Sequence, residues 1–234
     1  MDDKCILVTG SSSGIGRTIS IKLLDSGARV IGLARDHSKN ELKHKNYITY
    51  DVDLNDFQSL KKIMLKVFSE NNEINGLISN AGYGEFGPLE NFSIEQINSF
   101  IALNLTSHIV ITKLLLPHFK KNKSGNIIFM GSEASLLGAK NGSLYCSAKF
   151  GLRGFSQSLR HDVSSSNISV CIINPGMVKT NFFEKLNFTH GDDNNNSINP
   201  DEIAKIILNI FQMENNTVME EINISPLKKV IKFL

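Results

Sequence analysis

Hydrophobic and polar positions along this chain follow two periods. Short runs rich in apolar and β-branched residues, at 4–9, 28–34, 47–52, 74–79, 126–131, 168–174 and 218–224, read as strands buried on both faces. Between them, apolar residues recur at helical spacing over 15–26, 56–70, 94–122, 144–163 and 200–213. Strands that alternate with helical crossovers form a parallel sheet, and right-handed crossovers place helices on both of its faces. The expected fold is therefore α/β, a single doubly wound parallel sheet. The chain has 234 residues and is 41% hydrophobic, enough for one sizeable core, and no stretch has the composition of a linker, so a single domain over 1–234 is expected. One biased segment interrupts the pattern. His190 to Ser197 is polar and helix-poor, and reads as a mobile part of a short loop at about 181–199.

The first strand-like run leads directly into Gly10-Ser11-Ser12-Ser13-Gly14-Ile15-Gly16, and a helical segment follows. Glycines in such a turn let the backbone approach a pyrophosphate, whose charge is favoured by the free N–H groups of the next helix. The spacing is G-x-x-x-G-x-G rather than the common G-x-G-x-x-G. Further along, Tyr145 and Lys149 lie four residues apart in a helical segment, which puts a phenol and an ammonium on one face. An adjacent cation favours the ionised phenol, so the pair is expected to act as a general acid or base near neutral pH.

Taken in order, Thr9-Gly10-Ser11-Ser12-Ser13-Gly14-Ile15-Gly16, Asn80-Ala81-Gly82, Ser132, Tyr145-x-x-x-Lys149 and Pro175-Gly176 resemble the signature of the short-chain dehydrogenase/reductase family. The resemblance runs from the first strand to about Thr180 and weakens toward Pro226. It implies a Rossmann-type sheet and carbonyl–alcohol interconversion with a nicotinamide coenzyme. In that reading Tyr145 exchanges a proton with the substrate oxygen, Ser132 orients the carbonyl, and Lys149 activates the phenol and holds the nicotinamide ribose. Asn104 holds a water against the lysine. Pro175, Gly176, Val178 and Thr180 meet the nicotinamide, Asp51 and Val52 the adenine, and Asn80, Ala81 and Gly82 the cofactor between them. Ser135 is a weaker rival to Ser132. A homodimer or homotetramer is implied as well.

Coenzyme choice is read at the end of the second strand, where a carboxylate would hold the ribose hydroxyl of NAD(H). Ala34 stands there, and the guanidinium of Arg35 follows with planar donors suited to a 2′-phosphate. NADP(H) is expected over NAD(H), with hydroxyls of Ser11 and Ser12 available to the phosphate. A net charge of +2 gives no reason to expect nucleic acid, and no run approaches the roughly 18 uninterrupted apolar residues that span a membrane. Three cysteines, Cys5, Cys146 and Cys171, and an opening Met-Asp-Asp-Lys unlike a signal peptide point to the cytoplasm. The six histidines, His37, His44, His108, His118, His161 and His190, show no ligand spacing and read as surface or helix residues, with no metal implied. The partner expected is a small carbonyl or alcohol. The same fold also serves as nucleotide sensor or scaffold; against that reading stands the presence of Ser132, Tyr145 and Lys149 together.

Overall fold

Strand β1 (Cys5–Thr9) is completely buried, and its side chains divide by parity: Ile6 and Val8 enter one core, Cys5 and Leu7 the other. That is how an unbroken apolar run satisfies a sheet covered on both faces. The same division holds for β2 (Arg29–Ala34), β4 (Gly76–Ser79), β5 (Gly125–Met130) and β6 (Ile168–Pro175). With β3 (Tyr47–Asp51) and a later strand, β8 (Glu221–Ile224), they form a seven-stranded parallel sheet in the order β3-β2-β1-β4-β5-β6-β8. This is a computed structural model, and it describes residues 1–40, 42–214 and 216–234.

Helices α1 (Gly14–Asp25) and α6 (Pro200–Gln212) cover one face through Ile19, Leu23, Ile203 and Ile207. The other face is covered by α2 (Phe57–Glu70), α4 (Ser107–Asn122) and α5 (Ser143–Val163), through Leu60, Met64, Ile111, Leu115, Phe119, Leu152 and Leu159. The chain reverses its direction of travel across the sheet between β1 and β4, so the crevice at their carboxyl ends, Thr9 and Ser79, is the place where this topology binds ligands.

Two expectations need correction. The helical run 94–122 is not one regular helix: α3 (Ile94–Ile101) passes through a π-helical turn, Ala102–Thr106, into α4. By length and composition a window within Ile94–Asn122 is apolar enough to cross a membrane, although no uninterrupted apolar run of that length occurs in it. In the fold Phe100, Ile111, Leu115 and Phe119 are buried in the protein's own cores. The second correction concerns the polar loop. Phe188–His190 forms strand β7, antiparallel to β9 (Ile231–Phe233), and Asn194–Asn196 makes a single 3₁₀ turn. Around this ribbon Gly191 N–H donates to Val230 O (3.0 Å), Lys228 N–H to Asn195 O (2.9 Å) and Asn196 Nδ2 to Lys228 O (3.0 Å), while Lys232 pairs with Asp192 (2.8 Å). Those partners lie more than thirty residues downstream, beyond the reach of any local pattern.

Candidate active site

The glycine loop is fixed from below by Asn80. Its backbone N–H and that of Ala81 donate to Thr9 Oγ1 (2.9 and 3.0 Å), and its Nδ2 donates to Thr9 O (3.0 Å). Gly10 has φ of +68°, and a β-carbon on Gly16 would lie 2.2 Å from Gly10 O, so the loop closes on itself only with glycine at both positions. Asp56, Ser93 and Asn199 cap α2, α3 and α6 with their side chains; Ser13, at the start of α1, makes no such bond, and the first turn of α1 has no acidic residue. A bare helix end above a cradle that a β-carbon would fill suits a pyrophosphate. Thr180 stands beside it: a β-carbon on Gly14 would lie 3.8 Å from the threonine side chain.

The other cofactor positions of the sequence reading gather along the same crevice. Ala34 is in register with Asp51, and Val52 N–H donates to Ala34 O at 2.7 Å. Arg35 projects into solvent just beyond. Past β6, Gly176 N–H donates to Ile224 O (2.7 Å), and the bonds from Lys179 N–H to Ile198 O (2.9 Å) and from Ile198 N–H to Met177 O (2.8 Å) flank Val178. Val178's own N–H and C=O are left out of that pairing, as a carboxamide contact requires. Ser12, Ser13 and Ile15 lie in the loop and first turn as anticipated, but Ser11 differs. Its side chain is wholly buried and its Oγ is 2.9 Å from His37 Nε2, so its hydroxyl is engaged within the protein. His37 is correspondingly no surface histidine: its Nδ1 is 2.5 Å from Asp51 Oδ1. No spacing in the sequence links residues 11, 37 and 51.

Tyr145 and Lys149 enter the crevice from α5, and Ser132 from the turn after β5, where its hydroxyl is close enough to the phenol to favour the ionised form. Ser135 is disposed differently: it is fully buried and its Oγ accepts from Ser132 N–H at 3.2 Å, bracing the turn. Lys149 Nζ donates to Met130 O at 2.9 Å and lies 5.8 Å from the centroid of the Tyr145 ring. Asn104, in the π turn, is wholly buried; its Nδ2 donates to Phe100 O (3.1 Å) and its Oδ1 accepts from Tyr83 N–H (3.2 Å). A β-carbon on Gly82 would lie 2.7 Å from that Oδ1 and 3.9 Å from Lys149 Nζ, so one point in the crevice adjoins both groups. π turns recur at functional sites because they release the regular backbone pairing around one side chain.

The electrostatics correct the sequence reading. Burial pushes the Tyr145 phenol up to about 12, with Ser132 pulling the other way, and it pushes the Lys149 ammonium down to about 8. Desolvation of both groups outweighs the attraction expected from their spacing. Phenylalanines contribute to that dry environment around Tyr145: the rings of Phe86 and Phe182 stand 5.1 and 6.0 Å from its ring, and Phe188 is 5.0 Å from Phe86.

Comparison with known proteins bears on this arrangement directly. Residues 4–190 match the family model described as short chain dehydrogenase. The chain belongs to the short-chain dehydrogenase/reductase family. Among relatives, the 3-oxoacyl-(acyl-carrier-protein) reductase FabG of Buchnera aphidicola subsp. Acyrthosiphon pisum is 34% identical over 184 residues, covering 77% of this chain and 75% of that one. The 3-ketodihydrosphingosine reductase of Bacteroides thetaiotaomicron is 30% identical over 189 residues, 81% of this chain and 69% of its own. In fold, this short-chain dehydrogenase resembles an alcohol dehydrogenase from the archaeon Thermococcus sibiricus, solved with 5-hydroxy-NADP, at a TM-score of 0.87 and 23% identity over 97% of this chain and 98% of that one. A metagenomic short-chain oxidoreductase in complex with NADP gives 0.84 and 24%, with the same coverage.

Proposed function

We propose that this short-chain dehydrogenase/reductase is an NADP-dependent enzyme that interconverts a ketone or aldehyde with an alcohol, with Tyr145 as acid and base. The observation that carries the reading is one cluster at the switch-point crevice: Ser132 beside the buried Tyr145 phenol, with Lys149 Nζ 5.8 Å from the ring. Bound coenzyme would supply a hydride to the carbonyl carbon. The residues to hold it are Gly10 through Gly16 at the pyrophosphate, Ala34, Arg35, Asp51 and Val52 at the adenosine, Asn80 to Gly82 between, and Lys149, Pro175, Gly176, Val178 and Thr180 at the nicotinamide.

In the direction of reduction Tyr145 gives its proton to the carbonyl oxygen, and the raised affinity of the buried phenol for its proton keeps that donor loaded at neutral pH. Ser132 donates a hydrogen bond to the same oxygen and fixes its angle of approach. Lys149 compensates the charge left on the phenolate, and Asn104 beside it holds the route by which the proton is replaced. Phe86, Phe182 and Phe188 exclude water and favour an apolar substituent on the carbonyl.

The relatives' names and the NADP in a matching structure support the choice of reductase and coenzyme. Three buried free thiols accord with a reducing cytoplasm, and pairing of subunits as a homodimer or homotetramer through α4 and α5 completes the proposal. The test is NADPH oxidation across a panel of carbonyls, including 3-oxoacyl thioesters and long-chain 3-ketones. Turnover of one class, abolished by Tyr145→Phe, is the expected result. Tight coenzyme binding with no turnover of any carbonyl would favour the sensor or scaffold instead.

A further inference from the structure

In the ribbon of β7 and β9, Phe188 pairs with Phe233, Thr189 with Lys232 and His190 with Ile231. Strand alternation therefore puts Phe188, His190, Ile231 and Phe233 on one face and Thr189 and Lys232 on the other. The second face is polar and satisfied, with Lys232 paired to Asp192 at 2.8 Å. The first turns toward the protein: Phe188 meets Phe86 at 5.0 Å and Phe183 at 6.0 Å, and His190 meets Phe183 at 6.0 Å. Ile231 and Phe233 nevertheless remain 48% and 76% exposed. Two large apolar side chains share the inward face of the ribbon and are left largely uncovered there.

That uncovered surface continues a row of rings that starts at the phenol. Phe86 is 5.1 Å from the Tyr145 ring, Phe188 lies 5.0 Å from Phe86, and Phe233 stands opposite Phe188 across the ribbon. Phe86 and Phe188 are each half-buried, so the row keeps an open side. Apart from the imidazole of His190, the inward face of the ribbon carries no polar side chain. An occupant that covers both the rings beside Tyr145 and Phe233 is therefore apolar and extended, with one end at the phenol. The two ring-to-ring steps span at most about 10 Å and the cross-strand step adds about 5 Å, the length of roughly ten carbons in an extended chain.

We propose that the inward face of the β7–β9 ribbon is a subsite for a hydrocarbon chain, and that the carbonyl compound reduced here carries an unbranched chain of about ten carbons laid along Phe86, Phe188 and Phe233. This rests on the reading of Tyr145 as acid and base toward a carbonyl, and names the substrate class for it. Ile231 and Phe233 meet no reacting atom; they set specificity by giving the chain apolar surface to cover.

The experiment measures kcat/KM at saturating NADPH for straight-chain 2-ketones of about four to about twelve carbons, in the wild type, Ile231→Thr, Phe233→Thr and Phe233→Leu. In the wild type the value should rise about two- to fourfold per added methylene and level off once the chain passes Phe233. Phe233→Thr keeps a strand-forming residue; it should lose about tenfold or more on the longest ketones and nothing on the shortest, while Phe233→Leu retains the rise. Where the ribbon detaches in Phe233→Thr, Ile231→Thr carries the same test, a severalfold fall confined to long ketones. Equal loss on short and long ketones marks a merely structural role and overturns the inference. Sedimentation of the same proteins checks a different occupant: if Phe233→Thr dissociates an oligomer that the wild type forms and leaves the chain-length profile untouched, the face is a subunit contact and the inference fails. Short ketones reduced by wild-type protein with no dependence on length refute the chain subsite alone. Protein that binds NADPH and reduces no ketone of any length loses the reductase reading and the subsite with it.

Discussion

Lys149 shares a helix face with Tyr145, yet its ammonium is bonded to Met130 O at 2.9 Å and stands 5.8 Å from the phenol's ring centroid. Two buried groups of this kind compete for too little solvation. The lysine, pushed down to about 8, becomes the group whose charge changes in the accessible pH range, while the phenol, pushed up to about 12, stays protonated. An ammonium is present below its pKa and absent above it. Carbonyl reduction should therefore be level below about pH 7 and decline through about pH 8, approaching tenfold per unit, as the ammonium is lost. Lys149→Ala should abolish that limb and weaken NADPH as well. A rate still level at pH 10 would show that the charge is not needed.

Tyr145→Phe removes the proton donor and almost no volume. The rate of reduction should fall by about 10²- to 10⁴-fold with NADPH affinity near that of wild type. Stopped-flow measurement of hydride transfer separates the two quantities, and unimpaired transfer would end the assignment of Tyr145.

Arg35→Ala should weaken NADPH by about 1.5 to 3 kcal/mol, the cost of one charge-assisted contact, and leave NADH nearly unchanged. Parallel titrations decide the matter. Equal losses for both coenzymes would show that Arg35 does not meet the phosphate.

His108 gives the fold a liability in acid. It is wholly enclosed, its Nδ1 lies 2.7 Å from Ser79 Oγ and its Nε2 has no partner among the described residues; burial, helped by the charge of Lys149, pushes its pKa down to about 3. Between the ordinary histidine value of 6.5 and about 3 the unfolded chain takes up a proton that the folded chain refuses, so stability rises with pH across that window. The expected slope from this residue is about 1.4 kcal/mol per pH unit. Denaturant unfolding at pH 7, 5.5 and 4.5 should give a visibly shallower dependence for His108→Leu. Parallel slopes for the two proteins would refute the account.

Phe182 closes the crevice by packing on Gly84, where a β-carbon would lie 2.5 Å from the phenyl ring. Gly84→Ala should push that ring outward and raise KM for the carbonyl severalfold, with little change in NADPH affinity. The backbone of the segment from Phe182 to Ser197 pairs through a ribbon of three residues on each side and a few bonds around it, and so should exchange its amides much faster than β5. Substrate should slow that exchange. Protection equal to that of Ile127 and Ile128 in the free protein would make the segment a fixed wall.

The parallel sheet was legible in the sequence because its determinants are local. Runs such as Cys5-Ile6-Leu7-Val8 have no polar face, which only a doubly covered strand tolerates, and the helical segments between them force parallel connection. The same locality applies to the glycine loop and to Tyr145 and Lys149, whose positions follow from one turn and one helical repeat. Ser132 and Asn104 were readable only through the family resemblance, since nothing near them in the chain says that they will meet Lys149 or the phenol.

Other features belong to the tertiary structure alone. The π turn that buries Asn104 depends on how α3 and α4 sit across Gly82, and β7 exists because a segment some forty residues downstream pairs with it. The bridge from Ser11 through His37 to Asp51 joins three segments that only the sheet brings together. The proton affinities of Tyr145 and Lys149 were misjudged for the same reason. Spacing along a helix fixes which groups are neighbours, but desolvation is set by everything that folds over them, and here it exceeds the attraction between the two.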